Sequence, residues 1–307
     1  MYNLHRLALL DELDRRGTLA AVAQALSFAP SSVSEQLTQL EREVGVRLLE
    51  PVGRGVRLTA DAHLLLRFAR VALAELEAAE SALAAARDSV AGVLRVATFQ
   101  TVALSVQPAV LTDLAGRHPE LRVDVAQVQA AEATSGLQVG DFDVVLGEEY
   151  PGRPVPPSDR LHREDLRGDR LRLATPEHGP WSTATGLRGV AAAAWALDPE
   201  GTAPGDWSRD VCRSAGFEPE VRFDGVDLIT HVHLVRTGHA VAILPDLLGA
   251  ENSRGVRLVE LPGRPERMLF TLTRAARVAH PAVTAFRAAL TRALAVREDG
   301  SGSTSVL

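Results

Sequence analysis

The chain has 307 residues, 46% hydrophobic and 23% charged, with a mean hydropathy of +0.03, which is the balance of a soluble globular protein long enough for two or three domains. Its 33 cationic side chains are all arginine, yet the net charge is −6 and the isoelectric point about 5.9, so the molecule as a whole does not advertise nucleic-acid binding, a bound on overall affinity and not on the chemistry of one face. A single cysteine, Cys212, excludes an internal disulfide framework. No membrane partner is expected either, because the apolar run 190–197 is far too short for a span and Asp11 and Glu12 interrupt the N-terminus too early for a signal peptide.

Residues 1–58 read as short helices separated by turn signals. Leu4, Leu7, Ala8 and Leu10 begin the first, Gly17 ends it, and Thr18 is placed to cap the second, "LAAVAQAL". Pro30 suits the first turn of a third helix, where Val33, Leu37, Leu40 and Val44 fall in one narrow arc and Gly45 closes the run. "VRLLEPVGRGVRLT" then has two short apolar stretches around Pro51, Gly53 and Gly55, the pattern of a small hairpin. Two short helices, a tight turn, a third helix and a hairpin make a winged helix-turn-helix.

The polar face of the third helix carries Ser31, Ser32, Ser34, Glu35, Thr38, Gln39 and Arg42. In the major groove, its hydroxyls and amide could meet phosphates or base edges, and its carboxylate could accept from cytosine N4. A solvated surface stripe is the plainer alternative. Over residues 1–57, seven arginines are balanced by seven acids, so DNA binding requires the arginines to share one side; Arg54, at the hairpin tip, is the candidate phosphate or minor-groove contact.

From Thr59 to Val90 there is no glycine or proline. Ala69, Ala72, Leu76, Ala79 and Leu83 alternate three and four apart, the spacing of a helical seam that pairs with a second copy. Beyond residue 91, "VLRVAT", "LRVDVAQV", "FDVVLG" and "LRLAT" alternate with helical patterns, which predicts an α/β domain with a largely parallel sheet, followed by a disordered tail at 297–307.

The stretch "LAAVAQALSFAPSSVSEQLTQLEREVGVRLLEPVGRGVRLT" resembles the N-terminal module of LysR-type transcriptional regulators. "LRVATFQTVALSVQPAVL", "GDFDVVLG", "SAGFEPEVRF" and "LVRTGHAVAILP" extend that resemblance over the chain apart from its tail. The resemblance implies a DNA-binding domain at 1–58, a linker and dimerisation helix at 59–90, and a two-lobed effector domain of the periplasmic-binding-protein type (type 2) at 91–296. Lobe one would take 91–164 and 268–296, and lobe two 168–266. Family members often place glutamine where Pro30 stands, arginine or glutamine where Glu35 stands, and glycine where Ala62 stands, so the DNA half-site cannot be borrowed from them.

By the same resemblance the effector lies between the lobes, met by Thr98, Gln100 and Thr101 from one and by Gly201 and Thr202 from the other, with Asp227 as a further candidate. Free amides at the helix start would seat a small polar or anionic metabolite, although capping by Thr101 explains that residue equally well. The implied partners are promoter DNA carrying an imperfect inverted repeat, further copies of the chain as homodimer or homotetramer, and RNA polymerase if the protein activates. The implied compartment is the cytoplasm.

No cofactor and no metal are expected. His231, His233 and His239 lack the spacing of a ligand set, and Asp227 with His231 reads as a surface pair. The chain is not expected to be an enzyme, since no G-x-S-x-G, P-loop or G-x-G-x-x-G occurs. A regulator without an effector, or a small-molecule-binding protein or enzyme with an accessory helical domain, are the alternatives.

Overall fold

The computed structural model describes residues 2–25, 28–53, 55–87, 90–158 and 160–301. Contacts divide the chain into two compact units, one built chiefly from Met1–Asp88 and the other from Ser89–Leu137, Phe142–Ala275 and Ala282–Leu307.

The first unit opens with α1 (Leu4–Arg16), whose free N–H groups at His5 and Arg6 are taken by the Asn3 side chain. Gly17 ends it at φ 77°, a left-handed conformation that costs glycine little. α2 (Leu19–Ala25) and α3 (Pro30–Val44) follow, with Pro30 in the first turn of α3 and Gly45 ending it at φ 81°. The wing is the antiparallel pair β1 (Leu49–Val52) and β2 (Gly55–Leu58), with Leu49 opposite Leu58. Glu41 Oε1 accepts from the backbone of Leu48 at 2.8 Å and Leu49 at 3.0 Å, which fixes the wing to the end of α3. Thr59 caps α4 (Ala60–Ala85), a helix of 26 residues. Leu10, Leu13, Val22, Val33, Leu37, Leu40, Leu48, Ala62 and Leu66 make one core, and none of them is more than 1% exposed.

The second unit begins with β3 (Gly92–Thr98), α5 (Gln100–Ser105), α6 (Gln107–Arg117), β4 (Leu121–Gln127), α7 (Ala130–Val139) and β5 (Val144–Glu149). β6 (Leu161–Pro176) carries the chain out of this lobe. The other lobe contains β7 (Ala194–Leu197), α8 (Ala203–Ser214), β8 (Glu220–Asp224), α9 (Leu228–Arg236), β9 (Ala242–Pro245), α10 (Gly249–Asn252) and β10 (Val256–Glu260). β11 (Glu266–Arg274) returns the chain, and α11 (Pro281–Ser301) packs Val283, Phe286 and Leu290 into the first lobe's core with Leu94, Val96 and Val144. The second lobe closes around Leu173, Val190, Trp195, Leu197, Trp207 and Val241.

The sheet corrects the expectation of largely parallel strands. β3 pairs in parallel with β4 and β5, and β7 with β8, but β6 is antiparallel to β9, β10 and β11, and β11 is antiparallel to β5. The cause is topological. One long strand leaves the first lobe and another returns beside it, so the two must run in opposite directions. The expected chain crossings at 164–168 and 266–268 fall within β6 and at the start of β11. The tail expected from 297 is helical as far as Ser301, and 302–307 lie outside the described residues.

Candidate DNA-reading face and effector cleft

In the first unit, α3 separates its two faces cleanly. Val33, Leu37 and Leu40 are at most 1% exposed, while Ser31, Ser32, Ser34, Glu35, Thr38 and Arg42 face solvent and Gln39 is half-buried. Thr38 Oγ1 donates to the carbonyl of Ser34 at 2.9 Å, and Arg42 Nη1 to Gln39 Oε1 at 3.2 Å. The expected wing contact, Arg54, lies outside the described residues.

Local pairing resolves the neutral charge balance. Asp11 and Asp14 are held by Arg70, Glu12 by Arg16 at 2.6 Å, Glu43 by Arg6 and Glu50 by Arg57 at 2.7 Å, while Glu41 is spent on the wing backbone. Glu35 alone among the described acids of this module has neither an ion pair nor a hydrogen bond. Arg42 and Arg47 are the described arginines of the module left without an ion pair, and both are exposed. Arg47, which lies between the end of α3 and the wing, was not among the residues singled out in the sequence.

On α4, Ala72, Leu76, Ala79 and Leu83 are exposed, as a pairing seam requires, with Leu76 at 44% and Leu83 at 68%. Ala69 is a correction. It is 4% exposed and belongs to the unit's own core beside Ala62 and Leu66, because near its start the helix uses the same spacing to pack on α1. Leu64, Phe68 and Val71, absent from the expected seam, are 52%, 67% and 63% exposed.

In the second unit, Thr98 is buried at the end of β3 and Gln100 opens α5, where it reaches the other lobe. Its Nε2 donates to Asp227 Oδ1 at 2.5 Å, and its Oε1 accepts from the backbone of Leu228 at 2.7 Å. Asp227 also caps α9, accepting from Ile229 N at 3.1 Å and Thr230 Oγ1 at 2.6 Å; the Gln100 and then the Thr230 bonds hold its carboxyl below the usual range. Thr101 is 1% exposed and its hydroxyl has no hydrogen-bond partner, so capping does not account for it. Gly201 N–H donates to Asp206 at 2.7 Å. Thr202 caps α8, accepting from Gly205 N at 3.2 Å and donating to the Pro199 carbonyl at 2.6 Å, so both of these expected contacts already serve a helix start. The structure therefore joins Gln100 to Asp227, and it shows no bond from either to Gly201 or Thr202.

Beneath these residues lies a charged cluster that the sequence reading did not select. Arg267, 2% exposed, donates Nε and Nη2 to Asp169 at 2.9 and 2.7 Å and Nη1 to Glu148, while its guanidinium lies 5.4 Å from the centre of the Phe99 ring. Asp169 also accepts from Leu247 N at 2.8 Å, and Tyr150 donates to Glu148 at 3.3 Å. Asp198, one residue beyond β7, is drawn into the same field. Burial first, and Glu148 next, push its carboxyl up to about 7.

His231 corrects another expectation, being 3% exposed rather than half of a surface pair; burial holds its imidazole below the usual range. His233 and His239 turn to Arg236 and Thr237, and no metal-binding group forms among the described residues. Cys212 is fully buried in the second lobe, and burial raises its thiol to about 12. No described helix is long and apolar enough to cross a membrane.

Comparison with known proteins agrees with both halves. Residues 4–63 match the family "Bacterial regulatory helix-turn-helix protein, lysR family", and residues 87–295 match "LysR substrate binding domain". A probable hydrogen peroxide-inducible genes activator of Mycobacterium leprae is 31% identical over 239 residues, covering 75% of this chain and 73% of that protein. Among solved structures, a full-length OxyR variant from Pseudomonas aeruginosa superposes with a TM-score of 0.70 at 18% identity, covering 94% of this chain and 95% of its own. Full-length CbnR complexed with its target DNA gives 0.53 at 24% identity, covering 95% and 99%. A reading helix with its wing, a long helix behind it and a two-lobed ligand-binding unit thus stand in the family's own order, and the chain belongs to the LysR family of transcriptional regulators.

Proposed function

We propose that the protein binds an imperfect inverted repeat in a promoter as a homodimer or homotetramer and changes its arrangement on that DNA when a small molecule enters the cleft between the lobes of its second unit. The observation that carries the DNA half is the exposed face of α3, where hydroxyls and Arg42 stand opposite a fully buried apolar stripe while all but one of the module's described acids are engaged inside the module. α3 enters the major groove, the wing lies on the backbone, and the exposed apolar residues of α4 pair with a second copy. As an activator it would present the bound complex to RNA polymerase.

The Mycobacterium leprae protein is named for hydrogen peroxide. Peroxide sensing through cysteine needs an accessible thiolate, whereas the single thiol here is buried and held in its protonated form. We therefore read the signal as a reversibly bound metabolite. The test is titration of the full-length protein onto a fluorescent duplex from upstream of its own gene, beside a scrambled duplex, at two salt concentrations. Selective binding is expected; equal binding to both duplexes refutes recognition of that site.

A further inference from the structure

The charge of the effector can be inferred from the cleft, and this step rests on the cleft reading above. Asp198 follows β7 and Asp227 follows β8. These strands are parallel neighbours with Leu197 opposite Asp224, so both carboxylates stand at the C-terminal ends of adjacent strands, where open α/β sheets receive ligands. Asp227 bonds Gln100 at the junction of β3 and α5, and the carboxyl of Asp198 feels the charge of Glu148, whose partner Arg267 stacks on Phe99, the residue before α5. At the same junction, Thr101 buries a hydroxyl with no partner.

Neither Asp198 nor Asp227 is in an ion pair among the described residues. The cations near Asp198 are engaged elsewhere: Arg267 with Asp169 and Glu148, and Arg209 through Nη1 with the carbonyls of Asp198 at 2.8 Å and Gly205 at 2.9 Å. Glu148, Asp169 and Asp198 thus outnumber two guanidiniums, and Asp227 adds a further negative charge. α5, with six residues, is too short to offset them. An anion would have to enter against that surplus.

We infer that the effector presents a positively charged nitrogen, an ammonium or amidinium, to Asp198 and Asp227, with the Thr101 hydroxyl as a further acceptor and the Gln100 amide displaced from Asp227. Of the small polar or anionic metabolites expected from the sequence, this sets the anionic ones aside. It also fixes a sign. Glu148, Tyr150, Arg267 and Arg209 are the titratable and charged groups that act on Asp198, whose carboxyl is pushed up to about 7, and a cation binds the ionised form. Affinity therefore rises with pH through that range, while an anion would bind more tightly as pH falls.

The experiment is calorimetric titration of the full-length protein with millimolar agmatine, putrescine and L-arginine, and with benzoate and succinate, at about pH 6 and about pH 8. The cations should bind, about tenfold more tightly at the higher pH, as ionisation of one group with a midpoint near 7 requires. Asp198→Asn, checked for an unchanged far-UV spectrum, should weaken binding and abolish its pH dependence. Binding of the anions in preference, failure of all three cations, or an unaltered pH dependence in D198N would overturn the inference. The promoter titration is scored separately, so selective DNA binding with an anion in the cleft would reject the charge assignment and leave the regulator reading standing.

Discussion

Leu76→Glu tests whether the exposed face of α4 joins two copies. In one protomer Leu76 is 44% exposed and is not part of the buried core, so the substitution should leave the fold of the first unit intact. Burying a whole leucine side chain stabilises by about 1.5–3 kcal/mol, so covering the exposed part contributes roughly 1 kcal/mol per copy, or about 2 per dimer. Burying a glutamate in its place costs at least about 1 kcal/mol more per copy. Together these give about 4 kcal/mol, close to three orders of magnitude in the dissociation constant. Sedimentation velocity over a dilution series measures this, with the thermal melt as a control. If L76E sediments as the wild-type oligomer at every concentration, α4 does not pair through this stripe. Val71→Glu, on the neighbouring stripe with Leu64 and Phe68, then locates the contact.

Arg42→Ala and Arg47→Ala should each weaken binding to promoter and scrambled duplexes alike and flatten the salt dependence by about one unit of slope; fluorescence anisotropy at several salt concentrations measures it, and an unchanged slope removes that arginine from the phosphate contacts. Arg54→Ala is expected to behave in the same way. Glu35→Gln removes the module's unpaired carboxylate and should raise affinity for scrambled DNA while relaxing base preference at one position, so a selection experiment returning the wild-type site would refute a base-reading role. Asp169→Asn leaves Arg267 buried with its pairing cut back and should lower stability by about 3–5 kcal/mol in urea unfolding. A loss below about 1 kcal/mol would mean that the buried pair does not hold the crossing strands together.

What was legible in the sequence was what neighbouring residues decide. Pro30 and Gly45 bound α3, and Val33, Leu37 and Leu40 at helical spacing set its buried face, so the exposed face followed from periodicity alone. The wing was legible from Gly53 and Gly55 between short apolar runs. What escaped depends on partners distant in the chain. Spacing placed Ala69 on a seam because it records that one side of a helix is apolar, not which surface covers it. The same limit applied to His231, whose burial comes from the packing of the second lobe. Arg267 meets Asp169 and Glu148 across 98 and 119 positions, and no local pattern links them. Asp198 gave no local signal of its own: its carboxyl is raised by burial and by Glu148, fifty positions earlier in the chain.

A net charge of −6, taken alone, argues against DNA and for a cationic ligand at once, but a total decides neither question. In the first unit, short ion pairs within and between helices neutralise the acids near their own arginines, so a module of zero net charge still turns Arg42 and Arg47 outward with Glu35 alone opposing them. Such pairs add little stability on an exposed surface; their consequence here is which charges remain to meet a polyanion. In the second unit the arrangement is opposite. The cations beside the cleft are buried and bonded to Asp169, Glu148 or main-chain carbonyls, and the carboxylates left over are Asp198 and Asp227. On the proposed reading, one chain with a single type of cationic side chain would offer arginine to DNA and carboxylate to its effector, because pairing geometry rather than composition sets the charge that each surface shows.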